Sequence, residues 1–97
     1  MTRVVWTSPA RDDLREIRAY VARDSAQYAR LVVERLLAAV ERLQDYPLSG
    51  RIVPEVEQPT LREVVAGAYR IVYRVTASEV HILTVVHGAR QFPPGER

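Results

Sequence analysis

Apolar residues recur along this chain with two different periods, and the points where the period changes divide it into elements. Arg3-Val4-Val5-Trp6 is short, β-branched and aromatic and stops at Thr7-Ser8-Pro9, which predicts a first strand. The period then lengthens. Over "SPARDDLREIRAYVAR", Leu14, Ile17, Tyr20 and Val21 make one helical stripe; Ser8 is the expected N-cap, Pro9 the first helical residue, and Asp12 and Asp13 sit near the positive end of the helix dipole. Asp24 and Ser25 interrupt this pattern with two good caps, and Gln27 completes a variant of the capping box. In the second helix Ala29, Val32, Val33, Leu36, Leu37, Val40 and Leu43 recur at three- and four-residue steps, with Arg30, Glu34, Arg35, Glu41 and Arg42 on the other side. So short a connection predicts an antiparallel helical hairpin.

After Pro47 the helical period is lost. Residues 46–60 hold three prolines and one glycine, which marks a loop. Alternation then takes over in 61–65, 69–75 and 80–87, three strands expected to form an antiparallel meander. The order is β-α-α-β-β-β. It predicts an α+β fold, a helical hairpin packed on one face of a mainly antiparallel sheet, in a single domain over residues 1–97 with a short irregular tail at about 91–97.

Composition narrows the function classes. The chain has 97 residues, 47% hydrophobic and 27% charged, ordinary values for a globular domain. There is no cysteine, and the two histidines, His81 and His87, share one strand-like run without a carboxylate cluster at ligand spacing, so neither a disulfide framework nor a metal site is expected. No cofactor-binding motif is present: there is no Gly-rich phosphate loop and no nucleophile elbow. "MTRVVWTSPA" lacks the apolar core of a signal peptide, and "ILTVV" is too short to span a bilayer, so a cytoplasmic location without membrane contact is the expectation. Net charge is only +2, yet all fourteen basic residues are arginine. Arginine offers a planar fork suited to phosphate or carboxylate.

Within "YRIVYRV", alternation puts Tyr69, Ile71, Tyr73 and Val75 on one face and Arg70, Val72 and Arg74 on the other. An unpartnered buried guanidinium costs several kcal/mol, so the arginine-bearing face is expected to look to solvent or to a ligand. Two uses of it compete: cross-strand pairing with Glu63 or Glu79, or binding of an anionic partner, to which Arg51, Arg62, His87 and Arg90 would add. Tyr69 and Tyr73 are expected in the core with their hydroxyls near its rim, and His87 is a candidate acid or base.

Taken jointly and in order, "SPARDDLREIRAYVARDS", "LQDYPLSGR", "LREVVAGAYRIVYRV" and "VHILTVVHGAR" resemble the RelE/ParE superfamily of bacterial type II toxin–antitoxin toxins, over roughly residues 4 to 90. The resemblance implies a growth-arresting toxin neutralised by a cognate antitoxin, the product of an adjacent gene, whose C-terminal segment wraps the toxin. Two activities come with it. RelE-like members cut mRNA in the ribosomal A site, and for them Arg70, His87 and Arg90 would be the catalytic candidates; ParE-like members inhibit DNA gyrase and are not nucleases. A chain without lysine, whose ending "RQFPPGER" has no tyrosine, departs from the RelE pattern and looks more like ParE. Arg51, Arg62, Arg70, Arg74, His87 and Arg90 are then expected to bind partners. A degenerate toxin that only binds antitoxin is the third possibility.

Overall fold

The computed structural model describes residues 2–88, so Arg90 and the tail fall outside the described residues. Strand β1 (Arg3–Trp6) leads into helices α1 (Ser8–Ala22) and α2 (Ala26–Glu41), a 3-10 turn at Arg42–Gln44, and strands β2 (Arg51–Ile52), β3 (Leu61–Ala66), β4 (Tyr69–Val75) and β5 (Glu79–His87). The five strands form one sheet in the order β1-β5-β4-β3-β2. Every pairing is antiparallel except β1 with β5, which is parallel. The expected α+β architecture is thus present, with one addition: β2 is a two-residue strand inside the segment read as loop.

Local chemistry sets the helix starts. Thr7, not Ser8, caps α1: its hydroxyl accepts from the Ala10 N–H and donates to the Ile82 carbonyl at 2.6 Å, tying the helix start to β5. Ser25 caps α2 by accepting from the Tyr28 N–H at 3.0 Å. Helix α2 buries Ala29, Val32, Leu36, Ala39 and Val40, a stripe continued by Leu43. Leu37, expected in that stripe, is 43% exposed, because one further residue rotates it about 100° away from Leu36. Tyr20 leaves the α1 stripe likewise and is 67% exposed, while Leu14, Ile17 and Val21 pack against the core.

The helical hairpin covers Ile71, Tyr73, Val80, Ile82 and Val85. Along β5 that spacing changes from two to three at a bulge: Val72 faces Thr84 but Tyr73 faces Ile82, so Leu83 is the extra residue. Asp13 secures this region. Its carboxylate accepts from the Val85 N–H at 3.0 Å and from the Thr84 hydroxyl, so this acid docks α1 onto β5 besides lying near the helix start.

The second sheet face carries its own small core. Val53, Leu61 and Val72 are fully or almost fully buried together, with Val56 and Leu83 packed around them. Segment 53–60 therefore lies across the face that alternation assigned to solvent or a ligand. Its backbone turns back through hydrogen bonds from Val56 and Glu57 to the Val53 carbonyl, with Glu57 at φ 59°.

Candidate functional site

Arg70 is 7% exposed and Glu63 1%, which differs from the expectation that the arginine face is open. Burial is affordable because the charges alternate. Arg70 Nε donates to Glu63 Oε1 at 2.9 Å, and Nη2 makes a shorter contact to the same oxygen. Its outer edge forks onto Glu55, Nη1 to Oε2 and Nη2 to Oε1, both at 3.1 Å. The other oxygen of Glu63 accepts from Arg51 Nε at 2.6 Å. The result is a chain Arg51–Glu63–Arg70–Glu55, three charges from the strands and the fourth from segment 53–60. Burial by itself disfavours the charged guanidinium, but the hydrogen bonds and charges of Glu55 and Glu63 outweigh it and raise the Arg70 pKa.

A second cluster explains the Pro-x-x-Gly-Arg stretch. Tyr73 is fully buried; its hydroxyl donates to the Pro47 carbonyl and accepts from the Gly50 N–H, both at 2.9 Å. A Cβ at Gly50 would lie 2.5 Å from that hydroxyl and 2.5 Å from the Glu63 carbonyl oxygen, which is why no side chain fits here. Arg62 closes the turn, donating through Nη1 to the Gly50 carbonyl at 2.9 Å and through Nε to the Pro59 carbonyl at 3.0 Å. Tyr73 thus lies deeper than the core rim expected for its hydroxyl. Burial raises its pKa above 10.0, against smaller opposing effects of the Gly50 N–H, Arg62 and Ser49.

The remaining sequence candidates do not converge on this chain of charges. Arg74 is half-buried opposite Leu61 and His81, four residues along β4 from Arg70. His87 is exposed at the other end, its ring edge-on to Tyr69 with centroids 5.7 Å apart. It shares the Tyr69 side, while Arg70 leaves the opposite face of the sheet. Arg90 is outside the described residues. Among the described residues no three His, Asp or Glu side chains are grouped as metal ligands would be. Glu55 was missed because its contact spans a loop; the available signal was an acid between two apolar residues, Val53 and Val56, in an otherwise polar segment.

One further feature is a groove between α2 and β3, lined by Ala39, Arg42, Tyr46, Arg51, Val64 and Val65 among others, with a volume of about 570 Å³. Among the described residues β2 pairs only with Arg62 and Glu63, leaving the outer edge of Val64–Ala66 without a neighbouring strand. Val65 there is 64% exposed.

Comparison with known proteins assigns the fold and the sequence together. Residues 4–92 match the family model described as the ParE toxin of the type II toxin–antitoxin system parDE. The chain belongs to the ParE toxin family. Relatives of this ParE-family chain include a protein named as toxin Y4kP from Sinorhizobium fredii, 41% identical over 94% of this chain and 93% of its own length. Toxin RelE2 of Caulobacter vibrioides is also 41% identical, over 93% of this chain and 99% of its own. Among solved structures, the chromosomal ParDE system of P. aeruginosa superposes with a TM-score of 0.74 and 27% identity, covering 90% of this chain and 96% of that one. The toxin–antitoxin complex RelBE2 of Mycobacterium tuberculosis shares the fold, with a TM-score of 0.64 at 22% identity over 89% of this chain and 96% of that one.

Proposed function

We propose that this ParE-family toxin arrests growth by inhibiting DNA gyrase, without cutting RNA, and is held inactive by a protein antitoxin. The observation that carries this reading is the state of Arg70. In an RNA-cleaving relative the matching arginine serves the reaction; here its guanidinium is buried and forked onto Glu55 and Glu63. An acidic pair at that position repels RNA phosphates and neutralises the charge that would steady a transition state. His87, the candidate acid or base, leaves the sheet on the opposite side.

An antitoxin partner is supported by the solved relative, a ParDE toxin–antitoxin system. The α2–β3 groove is a suitable seat for it. Its lining exposes Tyr46 and Val65 beside an open strand edge, with Arg42 and Arg51 to attract acidic residues. The test is induction of the toxin alone in bacteria. Gyrase inhibition predicts DNA-damage signalling while translation continues; prompt translation arrest with cleaved mRNA would favour the ribosomal alternative, and no growth effect a toxin that only binds antitoxin.

A further inference from the structure

A hollow of about 170 Å³ closes one end of the α2–β3 groove, walled by Val21, Tyr28 and Val32 from the helical hairpin and by Ala66, Gly67 and Ala68 where β3 turns into β4. Small residues leave the space: Gly67 turns the chain at φ 60°, and a Cβ there would meet nothing within 4 Å. Hollow and groove are continuous along both walls. On α2, Val32 and Arg35 line the hollow and Ala39 and Arg42 the groove, at steps of three and four that keep all of them on one helix face. On β3, Ala66 lines the hollow and Val64 and Val65 the groove. The rim is open, since Tyr28 is 52% exposed and Arg35, Gly67 and Ala68 are exposed with it. The charge along this channel has one sign. Among the described residues the side chains of Arg35 and Arg42 form no ion pair, and the carboxylate that reaches the lining, Glu63, is buried and held by Arg51 and Arg70.

We propose that this hollow is an anchor subsite that takes one leucine, isoleucine or phenylalanine side chain of an extended antitoxin segment, with an acidic residue beside it for Arg35. This deepens the function proposed above and rests on its reading of the groove as the antitoxin seat. A dry cavity of ~150 Å³ takes benzene, so a hollow of about 170 Å³ fits one such side chain. Extended backbone suits the edge of Val64–Ala66, which has no neighbouring strand among the described residues. Side chains on the helix side of a strand added there recur at about 7 Å, so that one enters the hollow and the next lies over Val64. Burying an apolar anchor is where interface energy concentrates, and the guanidinium at the rim selects segments by the sign of their charge.

The experiment uses the full chain and phenylpropionate, which joins a ring of that size to a carboxylate, followed by saturation-transfer NMR. Saturable binding of the acid is expected, with phenylpropylamine, its cationic counterpart, weaker by about fivefold or more. Ala68→Phe fills the hollow from an exposed position, and Arg35→Glu reverses the charge at its rim; each is expected to weaken the acid by about fivefold or more. Arg30→Glu, the same charge change on the same helix but away from the lining, is expected to leave binding unchanged. In a titration with the purified product of the adjacent gene, Ala68→Phe and Arg35→Glu are expected to lose affinity while Arg30→Glu does not. Should Ala68→Phe fail to fold, Arg35→Glu against Arg30→Glu decides. The proposal is overturned if the acid does not bind saturably, if the amine binds as well, if Arg30→Glu loses as much as Arg35→Glu, or if the variants that lose the probe keep full affinity for the antitoxin. Since the probe assay contains neither antitoxin nor gyrase, a failure there is separable from a failure of the function proposed above.

Discussion

At the scale of single residues, the arginine that sequence logic singled out acts first on the fold. Removing one member of a buried ion pair leaves its partner uncompensated, a loss of about 3–5 kcal/mol, whereas a pair whose cation is mostly in water contributes under about 1 kcal/mol. Arg70→Ala, which leaves the buried Glu63 with only the mostly exposed Arg51, is therefore expected to cost about 3–5 kcal/mol in urea denaturation and Arg51→Ala, whose guanidinium side chain is 64% exposed, far less. Equal losses would mean that Glu63 is not held chiefly by Arg70. Tyr73 makes a pH-dependent contribution of predictable sign. Its folded-state pKa is raised, so the stabilisation is complete below the ordinary value of 10.0 and is lost as pH climbs through the higher folded value. Wild type should lose stability as pH rises above about 10, and Tyr73→Phe should lack that part of the decline. The same substitution should cost about 1–3 kcal/mol at neutral pH, because the buried Gly50 N–H loses its acceptor.

At the scale of elements, β4 was legible in full: alternation bounded it at 69–75 and correctly separated Tyr73 from Arg70. What alternation could not supply was the cover on the second face. Val72 lies between two arginines and says nothing by itself about Val53 and Val56, which reach it across a proline-bearing segment with no period to read. The bulge at Leu83 was hidden for a related reason, since an almost continuous apolar run such as Ile82–Val86 fits either register. The cap of α1 was misassigned by one residue because Thr7 and Ser8 are both good caps, and only the bond from Thr7 to β5 decides between them. Glu63 was readable as a cross-strand partner of Arg70, though not as a buried one. The open edge of β3 makes its own prediction: Val65→Asp, on an exposed side chain, should leave unfolding within about 0.5 kcal/mol of wild type. The same change should weaken capture of the antitoxin at least tenfold in a titration. Unchanged affinity would move the antitoxin off this groove.

At the scale of the whole molecule, membership of the ParE family and the arrangement of charge bear on different questions. The family match and the shared fold establish a type II toxin–antitoxin toxin; the target depends on whether the sheet offers free cations to RNA or surfaces to a protein. In this chain the most buried cation is neutralised internally, His87 lies on the other side of the sheet, and an apolar groove stands open beside β3. Those features favour a toxin that works by protein contact. The most direct test is a supercoiling assay with purified toxin and DNA gyrase, run beside a cleavage assay on mRNA in programmed ribosomes. The account predicts loss of supercoiling with intact mRNA. Undisturbed supercoiling together with mRNA cut in the ribosome would contradict it.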